Sequence, residues 1–149
     1  MIPMMFKNII ADEPSMPIPL ATQENRDTFL ATPRLAILIS LGDGPAPIGV
    51  PVWFEYNSSS VEMFADQSTP KSKRLENNSN ASVLFTNAAG EPEVWLAFDD
   101  LIKIQSGGFK LAERLAARYW DFTNPDYKAV LDYWQKSAAD MRRLSLTPS

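Results

Sequence analysis

Hydrophobic positions in the first two thirds of the chain form short runs separated by turn residues, a pattern typical of β-strands. Residues 34–40 (Arg-Leu-Ala-Ile-Leu-Ile-Ser) are nearly continuously apolar and predict a strand buried on both faces. After the turn signal Gly42-Asp43-Gly44, apolar residues return over 48–56, so the two segments predict a hairpin. Pro51 cannot donate a ladder hydrogen bond and therefore predicts either a plain edge strand or a bulge that another molecule could approach.

Three further strand-like segments follow, at residues 61–65, 81–86 and 93–104. In the last of them the alternation places Val94, Leu96 and Phe98 on one face and Trp95, Ala97 and Asp99 on the other. Five strands joined by short turns predict an antiparallel barrel over residues 34–104, because closure removes most free strand edges.

The C-terminal third changes to a helical period. Two apolar stripes at helical spacing predict helices within residues 109–143 and favour core or subunit contact over a cofactor-binding role. Their members are Phe109, Ala112, Leu115, Ala116 and Tyr119, then Tyr127, Val130, Leu131, Trp134, Ala138 and Met141. Leu144-Ser145-Leu146 predicts one last short strand.

The N-terminal segment is rich in proline and predicts an extended arm over residues 1–21. Thr22 is a favourable N-cap for a short helix that reaches Leu30 before Pro33. The length of 149 residues predicts a single domain over 1–149.

Composition excludes several kinds of chemistry. The chain has no histidine and no cysteine, so histidine-based catalysis, thiol nucleophiles, disulfides and zinc–thiolate sites are excluded. A net charge of −4 without a basic stripe makes nucleic acid an unexpected partner. We expect neither a signal peptide nor a membrane span, hence a cytoplasmic protein, in which redox chemistry would require a bound cofactor.

A basic cluster stands out against this acidic background. Thr69-Pro70 predicts an N-cap followed by proline at the first helical position, and Lys71, Lys73 and Arg74 follow at once. Cations at a helix start oppose the helix dipole unless an anion lies among them, which indicates a phosphate site. The alternative is a basic turn that only faces water.

The order and spacing of several segments resemble the FMN-binding split-barrel family related to pyridoxamine 5'-phosphate oxidase. The resemblance covers most of residues 22–104 and is carried by Arg34–Ile39, the Asp43-Gly44 turn, Val50–Phe54, Lys71–Asn78 and Ala81–Leu84. It implies a mainly β fold with flanking helices: an antiparallel, Greek-key-like split β-barrel. It also implies a homodimer that binds two FMN molecules at the subunit interface.

The resemblance implies a set of cofactor-binding residues. Lys71 and Lys73 would hold the FMN phosphate near Ser68 and Thr69. Trp95 of the second subunit could cover the ring, and the alternative for Trp95 is a place in the buried core. The full set is Arg34, Ala36, Ile37, Leu38, Val50, Pro51, Val52, Trp53, Phe64, Ala65, Ser68, Thr69, Lys71, Lys73, Arg74 and Trp95. The strand from Arg34 would line the ribityl and phosphate end, and Val50 to Trp53 would lie along the isoalloxazine.

The chain also departs from that family. Pyridoxamine phosphate oxidases handle substrate with an arginine and a histidine in a C-terminal segment, and this chain lacks histidine and ends before that segment. We therefore expect an FMN-binding, oxidoreductase-like protein for an unnamed small molecule, with no catalytic side chain identified, because Glu55 and Asp66 are read as solvated turn residues. The alternatives are an oxidoreductase that uses the deazaflavin F420, a non-catalytic flavin-binding or stress-response module, and a dimeric barrel without cofactor.

Overall fold

The structure is a computed structural model that describes residues 9–11, 20, 22–57 and 59–148, of which 9–11 are described by their backbone alone. The strands are β1 (Ile9–Ala11), β2 (Ala36–Ser40), β3 (Ile48–Val52), β4 (Glu55–Asn57), β5 (Ser60–Asp66), β6 (Asn80–Thr86), β7 (Trp95–Gln105) and β8 (Met141–Leu146). The helices are α1 (Gln23–Ala31), α2 (Pro70–Asn77), α3 (Gly108–Tyr119) and α4 (Pro125–Lys136), with a 3₁₀ turn at Ala138–Asp140.

The strands form one antiparallel curled sheet in the order β3-β2-β6-β7-β8-β5-β4, and β1 pairs with β7. The two end strands, β3 and β4, are consecutive in the chain and are separated only by Trp53 and Phe54. The chain itself therefore joins the two ends of the sheet. The predicted mainly β, antiparallel split barrel with flanking helices is confirmed.

The predicted hairpin of β2 and β3 is confirmed, with Ala36 opposite Val52 and Ser40 opposite Ile48. The continuous register contains no bulge, and β3 is an end strand, so Pro51 occupies the edge position that its missing N–H permits. The prediction of one strand over 48–56 is wrong. The segment is divided at Trp53 and Phe54 because β3 and β4 lie at opposite ends of the sheet.

The barrel interior forms the main hydrophobic core. Alternate residues of β5, β6 and β7 are buried, including the predicted face of Val94, Leu96 and Phe98, as period-two strands with one face inward require. The rings of Phe85 and Phe98 pack edge to face with centroids 5.7 Å apart. In β2 the prediction of burial on both faces is wrong within this chain: Ala36 and Leu38 are buried, whereas Ile37 and Ile39 are only half-buried.

The predicted helices are confirmed. Thr22 Oγ1 caps α1 by accepting from the backbone N–H of Asn25. Helix α3 covers β5 and β8 with a buried stripe of Leu111, Ala112, Leu115 and Ala116. Helix α4 has no fully buried residue, but Leu131 and Trp134 pack against a second, smaller buried cluster formed by Phe109, Ala112 and Met141.

The predicted N-terminal arm lies mostly outside the described residues. Its described residues are Ile9–Ala11, a strand paired with Phe98, Ala97 and Leu96 of β7, and Leu20, which is buried in the core. Within the described part of the chain, no helix has both the length and the apolar character needed to cross a membrane.

Candidate functional site: the Lys71 groove

The turn between β5 and α2 positions the basic cluster. The Asp66 carboxylate, at the end of β5, accepts hydrogen bonds from the backbone N–H of Ser68 (2.8 Å) and from its hydroxyl (2.6 Å). These two hydrogen bonds hold the pKa of Asp66 below its usual range, the side-chain contribution being the larger. Thr69 Oγ1 then accepts from the backbone N–H of Ser72 at 3.4 Å, and Pro70 opens the helix. The predicted N-cap and N-terminal proline are confirmed, and Lys71 is the second residue of α2.

Lys71 is half-buried, and among the described residues its ammonium group has no hydrogen-bond or ion-pair partner. Desolvation lowers its pKa below the ordinary value, and the positive charge of Arg74 lowers it further. A cation removed from water without a counter-ion is electrostatically unfavourable. The position therefore favours an anionic ligand that restores the missing interaction.

Arg74 lies one turn further along α2, on the same side as Lys71. Its Nε donates to the hydroxyl of Ser40 at 2.9 Å, and its side chain packs against Gly42. A Cβ at Gly42 would lie 2.7 Å from Arg74 Cγ, and φ there is +59°, so glycine is required on both grounds. Arg74 is thus fixed by β2 and the turn that follows it. Lys73 is exposed and projects from another side of the helix.

Two adjacent cavities meet at Lys71. The first, here called the aromatic cavity, has a volume of about 350 Å3. The described residues that line it are Leu35, Pro51, Val52, Trp53, Phe64, Lys71, Trp120 and Trp134. Lys71 is the one charged residue among them, and the other seven present apolar or aromatic surface.

Ring contacts shape the aromatic cavity. Trp53 stacks on Tyr119 with centroids 5.2 Å apart, and its edge meets Trp120 at 4.6 Å. Trp120 in turn stacks on Trp134 (5.6 Å) and on Tyr127 (4.6 Å). These contacts join the segment between β3 and β4 to α4 and to the residue that follows α3.

The second cavity, here called the polar cavity, has a volume of about 360 Å3. It is lined by Phe64, Ala65, Asp66, Ser68, Thr69, Lys71, Tyr133, Trp134, Ser137 and Met141. Phe64, Lys71 and Trp134 belong to both linings, so the two cavities form one groove, here called the Lys71 groove. Each half has a volume within the range of small-molecule sites, about 300–1,000 Å3.

The structure brings half of the predicted site residues together in this groove: Pro51, Val52, Trp53, Phe64, Ala65, Ser68, Thr69 and Lys71. The other half lies outside its lining: Arg34, Ala36, Ile37, Leu38, Val50, Lys73, Arg74 and Trp95. Ala36 and Leu38 are in the core, and Val50 packs against it. Ile37 is on the outer face of β2, and Trp95 is half-buried where β7 begins. Ligand binding by any of the sixteen residues stays a prediction from the sequence.

Arg34 has a structural position that the sequence did not indicate. Its guanidinium forms a two-point contact with the carboxylate of Glu91, at 2.6 and 3.2 Å, and donates to the carbonyls of Phe29 (3.0 Å) and Thr86 (3.1 Å). The Arg34 side chain is 2% exposed and also lies over the Phe29 ring at 3.9 Å. This network holds the guanidinium away from the groove, so the side chain is not available to a ligand there.

Sequence reasoning missed seven residues of the groove: Leu35, Asp66, Trp120, Tyr133, Trp134, Ser137 and Met141. The signal for Trp134 was its place in the apolar stripe of α4, which was interpreted as core or subunit contact. In the structure α4 places Trp134 against Phe64, with centroids 5.3 Å apart, and thereby forms a wall of both cavities.

Of the two carboxylates interpreted as solvated turn residues, Glu55 differs from that interpretation, whereas Asp66 stands at the end of β5, where the turn begins. Glu55 is in β4, and its two oxygens receive hydrogen bonds from Arg114, at 2.8 and 3.3 Å. Asp66 lines the polar cavity and is held by Ser68. Within the described residues, no group of three or more acidic side chains has an arrangement that could hold a metal ion.

Comparison with solved structures identifies the fold. The chain is similar to an F420 reductase (16% identity, covering 83% of this chain and 92% of the other, TM-score 0.68). It is similar to a putative pyridoxamine 5'-phosphate oxidase from Listeria innocua (13% identity, covering 77% of this chain and 83% of the other, TM-score 0.53). It is also similar to an FAD and heme binding protein from Mycobacterium smegmatis (18% identity, covering 86% of this chain and 67% of the other, TM-score 0.61). No protein-family model and no curated protein matches the sequence. This chain has the split-barrel fold of the pyridoxamine 5'-phosphate oxidase-like proteins.

Proposed function

We propose that this protein binds FMN in the Lys71 groove and acts as a flavin-dependent, oxidoreductase-like protein on a small molecule. The observation that carries the proposal is Lys71 itself: a half-buried cation without a counter-ion among the described residues, at the junction of an aromatic and a polar cavity. A ligand that combines a flat ring system with an anionic group matches both halves of the groove.

The residues present fit FMN. Lys71 offers a charged donor to a phosphate in the polar cavity. Ser68 and Thr69 lie beside it, and in this structure their backbone N–H and hydroxyl groups donate to Asp66. Trp53 and Trp134 offer apolar ring faces and edges, which favour a planar heterocycle. FMN, when bound, supplies the hydride or electron transfer. The chain would bind it, orient it and exclude water.

No side chain is assigned to proton transfer. The nearby carboxylates already have partners: Glu55 forms an ion pair with Arg114, and Asp66 accepts a hydrogen bond from Ser68. Oxidation of pyridoxamine phosphate is not proposed, since the chain has no histidine for the substrate-handling role that the family uses. The substrate is proposed only as a small molecule that reaches the bound ring.

We also propose that two copies of the chain form a homodimer with the groove at their interface. The outer face of β2 carries Leu35, Ile37, Ile39 and Leu41, of which Leu35 is 53% and Leu41 44% exposed. Leu35 also lines the aromatic cavity. A second copy that covers this apolar face would therefore close the groove on that side.

F420 is a second candidate cofactor, favoured by the similarity in fold to an F420 reductase over 92% of that chain. It also combines a tricyclic ring with a phosphate, so Lys71 would serve either ligand. Titration of the purified protein with FMN, F420 and riboflavin, followed by absorbance and fluorescence, separates the possibilities. The proposal expects tight binding of FMN and much weaker binding of phosphate-free riboflavin. Binding of F420 alone would replace the cofactor, and binding of none of the three would overturn the proposal.

A further inference from the structure

Lys71 combines three properties that are seldom found together in a lysine. It lines two cavities and is thus open to small molecules from either side. It is half-buried. Among the described residues no carboxylate pairs with its amine, and Asp66, which lines the polar cavity with it, accepts hydrogen bonds from Ser68.

The surroundings make the charged form of this amine less favourable in the empty groove than it is in water. The charged or titratable groups that face it are Arg74 on its own helix, which acts on its charge, and Asp66 from β5 and Tyr133 from α4, which line the same cavity. Arg74 is held in place by Ser40 and lowers the pKa of Lys71, in addition to the larger lowering caused by desolvation. A lysine whose charged form is disfavoured in this way is a better nucleophile near neutral pH.

We propose that the Lys71 amine is a covalent capture site for aromatic aldehydes in the ligand-free groove. The nitrogen lone pair forms a bond to the carbonyl carbon, a proton moves from nitrogen to the former carbonyl oxygen, and loss of water leaves an imine. The step is a condensation without net oxidation or reduction, so it needs no co-reactant. It is reversible in water.

The preference for an aromatic ring follows from the walls of the groove. Phe64 and Trp134 belong to both cavities and pack against each other with centroids 5.3 Å apart and planes at 66°. Ring surface beside the amine favours an aldehyde that carries its own ring, because aromatic pairs attract each other beyond the effect of the area that they bury. Aliphatic aldehydes lack this attraction.

The experiment treats the purified, cofactor-free protein with benzaldehyde or, as the ring-free comparison, butanal. Sodium cyanoborohydride then delivers hydride to the imine carbon and fixes the adduct as a secondary amine, which peptide mass spectrometry locates. The expected result is that Lys71 is modified by benzaldehyde several-fold faster than any other lysine and several-fold faster than by butanal. The Lys71→Arg protein should lose this adduct, and the Lys73→Ala protein should keep it.

Two results would overturn the inference: labelling spread over the lysines according to exposure, or adduct formation in wild type no faster than in Lys71→Arg. Thermal unfolding of both variants checks that they are folded, and Lys71→Arg retains the positive charge. Addition of FMN separates this inference from the proposed function. Selective labelling that FMN does not block supports the aldehyde site and contradicts phosphate binding at Lys71. FMN binding without selective labelling contradicts the aldehyde site alone.

Discussion

The indole ring of Trp53 lies parallel to the ring of Tyr119, with centroids 5.2 Å apart and planes 3° from parallel. The Tyr119 hydroxyl donates to the backbone carbonyl of Arg34 at 2.6 Å and lies 3.4 Å from the backbone nitrogen of Phe54. Tyr119, the last residue of α3, thus fixes the segment that leads into β2 and the link between β3 and β4. It therefore sets the position of one wall of the Lys71 groove.

Substitution Tyr119→Phe tests this relationship, because it keeps the ring and removes the hydroxyl. We expect the free energy of unfolding to fall by about 1–2 kcal/mol, the size of a lost, partly buried hydrogen bond. Tyr127→Phe is the matched control: Tyr127 also stacks on an indole, that of Trp120, but its hydroxyl has no partner among the described residues. Urea unfolding that gives equal values for the two variants would contradict this role of Tyr119.

Removal of the Glu91 charge should destabilise the protein without weakening cofactor binding. Glu91→Gln leaves the guanidinium of Arg34, with its 2% exposed side chain, without its counter-charge. We expect a loss of about 1.5–3 kcal/mol in the free energy of unfolding, as for hydrogen bonds to charged groups. The affinity for FMN, measured on the folded variant, should stay within about twofold. A clear gain in affinity would show instead that Arg34 is a phosphate ligand restrained by Glu91.

The same ion pair predicts a dependence of stability on pH. Hydrogen bonds from Arg34, and then from the backbone of Ala88, lower the pKa of Glu91 in the folded protein. The carboxylate therefore contributes stability above its unfolded pKa, near 4, and loses that contribution as the pH falls through its folded pKa. Unfolding measured between about pH 6 and about pH 3 should show a steeper loss for wild type than for Glu91→Gln. An equal loss of stability with falling pH in the two proteins would contradict this contribution of the Glu91 carboxylate.

FMN affinity should decrease as the pH rises. In the ligand-free protein, desolvation and Arg74 lower the pKa of Lys71, whereas a bound phosphate would stabilise the charged amine and raise that pKa. Binding then takes up a proton, and the affinity falls as the pH rises through the pKa of the free site. Lys71→Arg stays charged and should show a flatter profile between about pH 7 and about pH 10. Identical profiles would contradict a phosphate at Lys71.

A charge on the outer face of β2 should break the proposed dimer. Ile39 lies on this face between Gly49 of β3 and Ser82 of β6. We expect Ile39→Glu to be monomeric at concentrations at which wild type is dimeric, because burial of an unpaired carboxylate at an interface is strongly unfavourable. Val130→Glu, at an exposed apolar position on α4, is the control. Light scattering that finds wild type monomeric would contradict the dimer.

Local patterns in the sequence were sufficient for most of the fold. Turn residues and period-two alternation predicted β5, β6 and β7 within two residues of their observed ends. Thr69-Pro70 located the start of α2 because capping depends on neighbours in sequence. The division of the segment 48–56 at Trp53 and Phe54 was missed, since it depends on the positions of β3 and β4 at opposite ends of the sheet.

The residues of the groove that belong to local motifs were predicted, and those that long-range packing brings there were not. Pro51, Phe64 and Lys71 belong to local motifs, and all three line the groove. Trp134 reaches Phe64 across 70 positions of sequence, through the packing of α4, which no local pattern encodes. The contact of Arg34 with Glu91 is likewise a long-range pairing, so the sequence did not indicate that the Arg34 guanidinium is already bound to a carboxylate.

The most direct test of the central claim is the dissociation constant of FMN for wild type, Lys71→Ala and Lys73→Ala, measured by absorbance or calorimetry at neutral pH. The account predicts that Lys71→Ala weakens binding by about tenfold or more, since a charge-assisted phosphate contact contributes about 1.5–3 kcal/mol. Lys73→Ala, which removes an exposed lysine outside the groove, should change the constant by no more than about twofold. Equal affinities for wild type and Lys71→Ala, or no FMN binding by wild type, would contradict it.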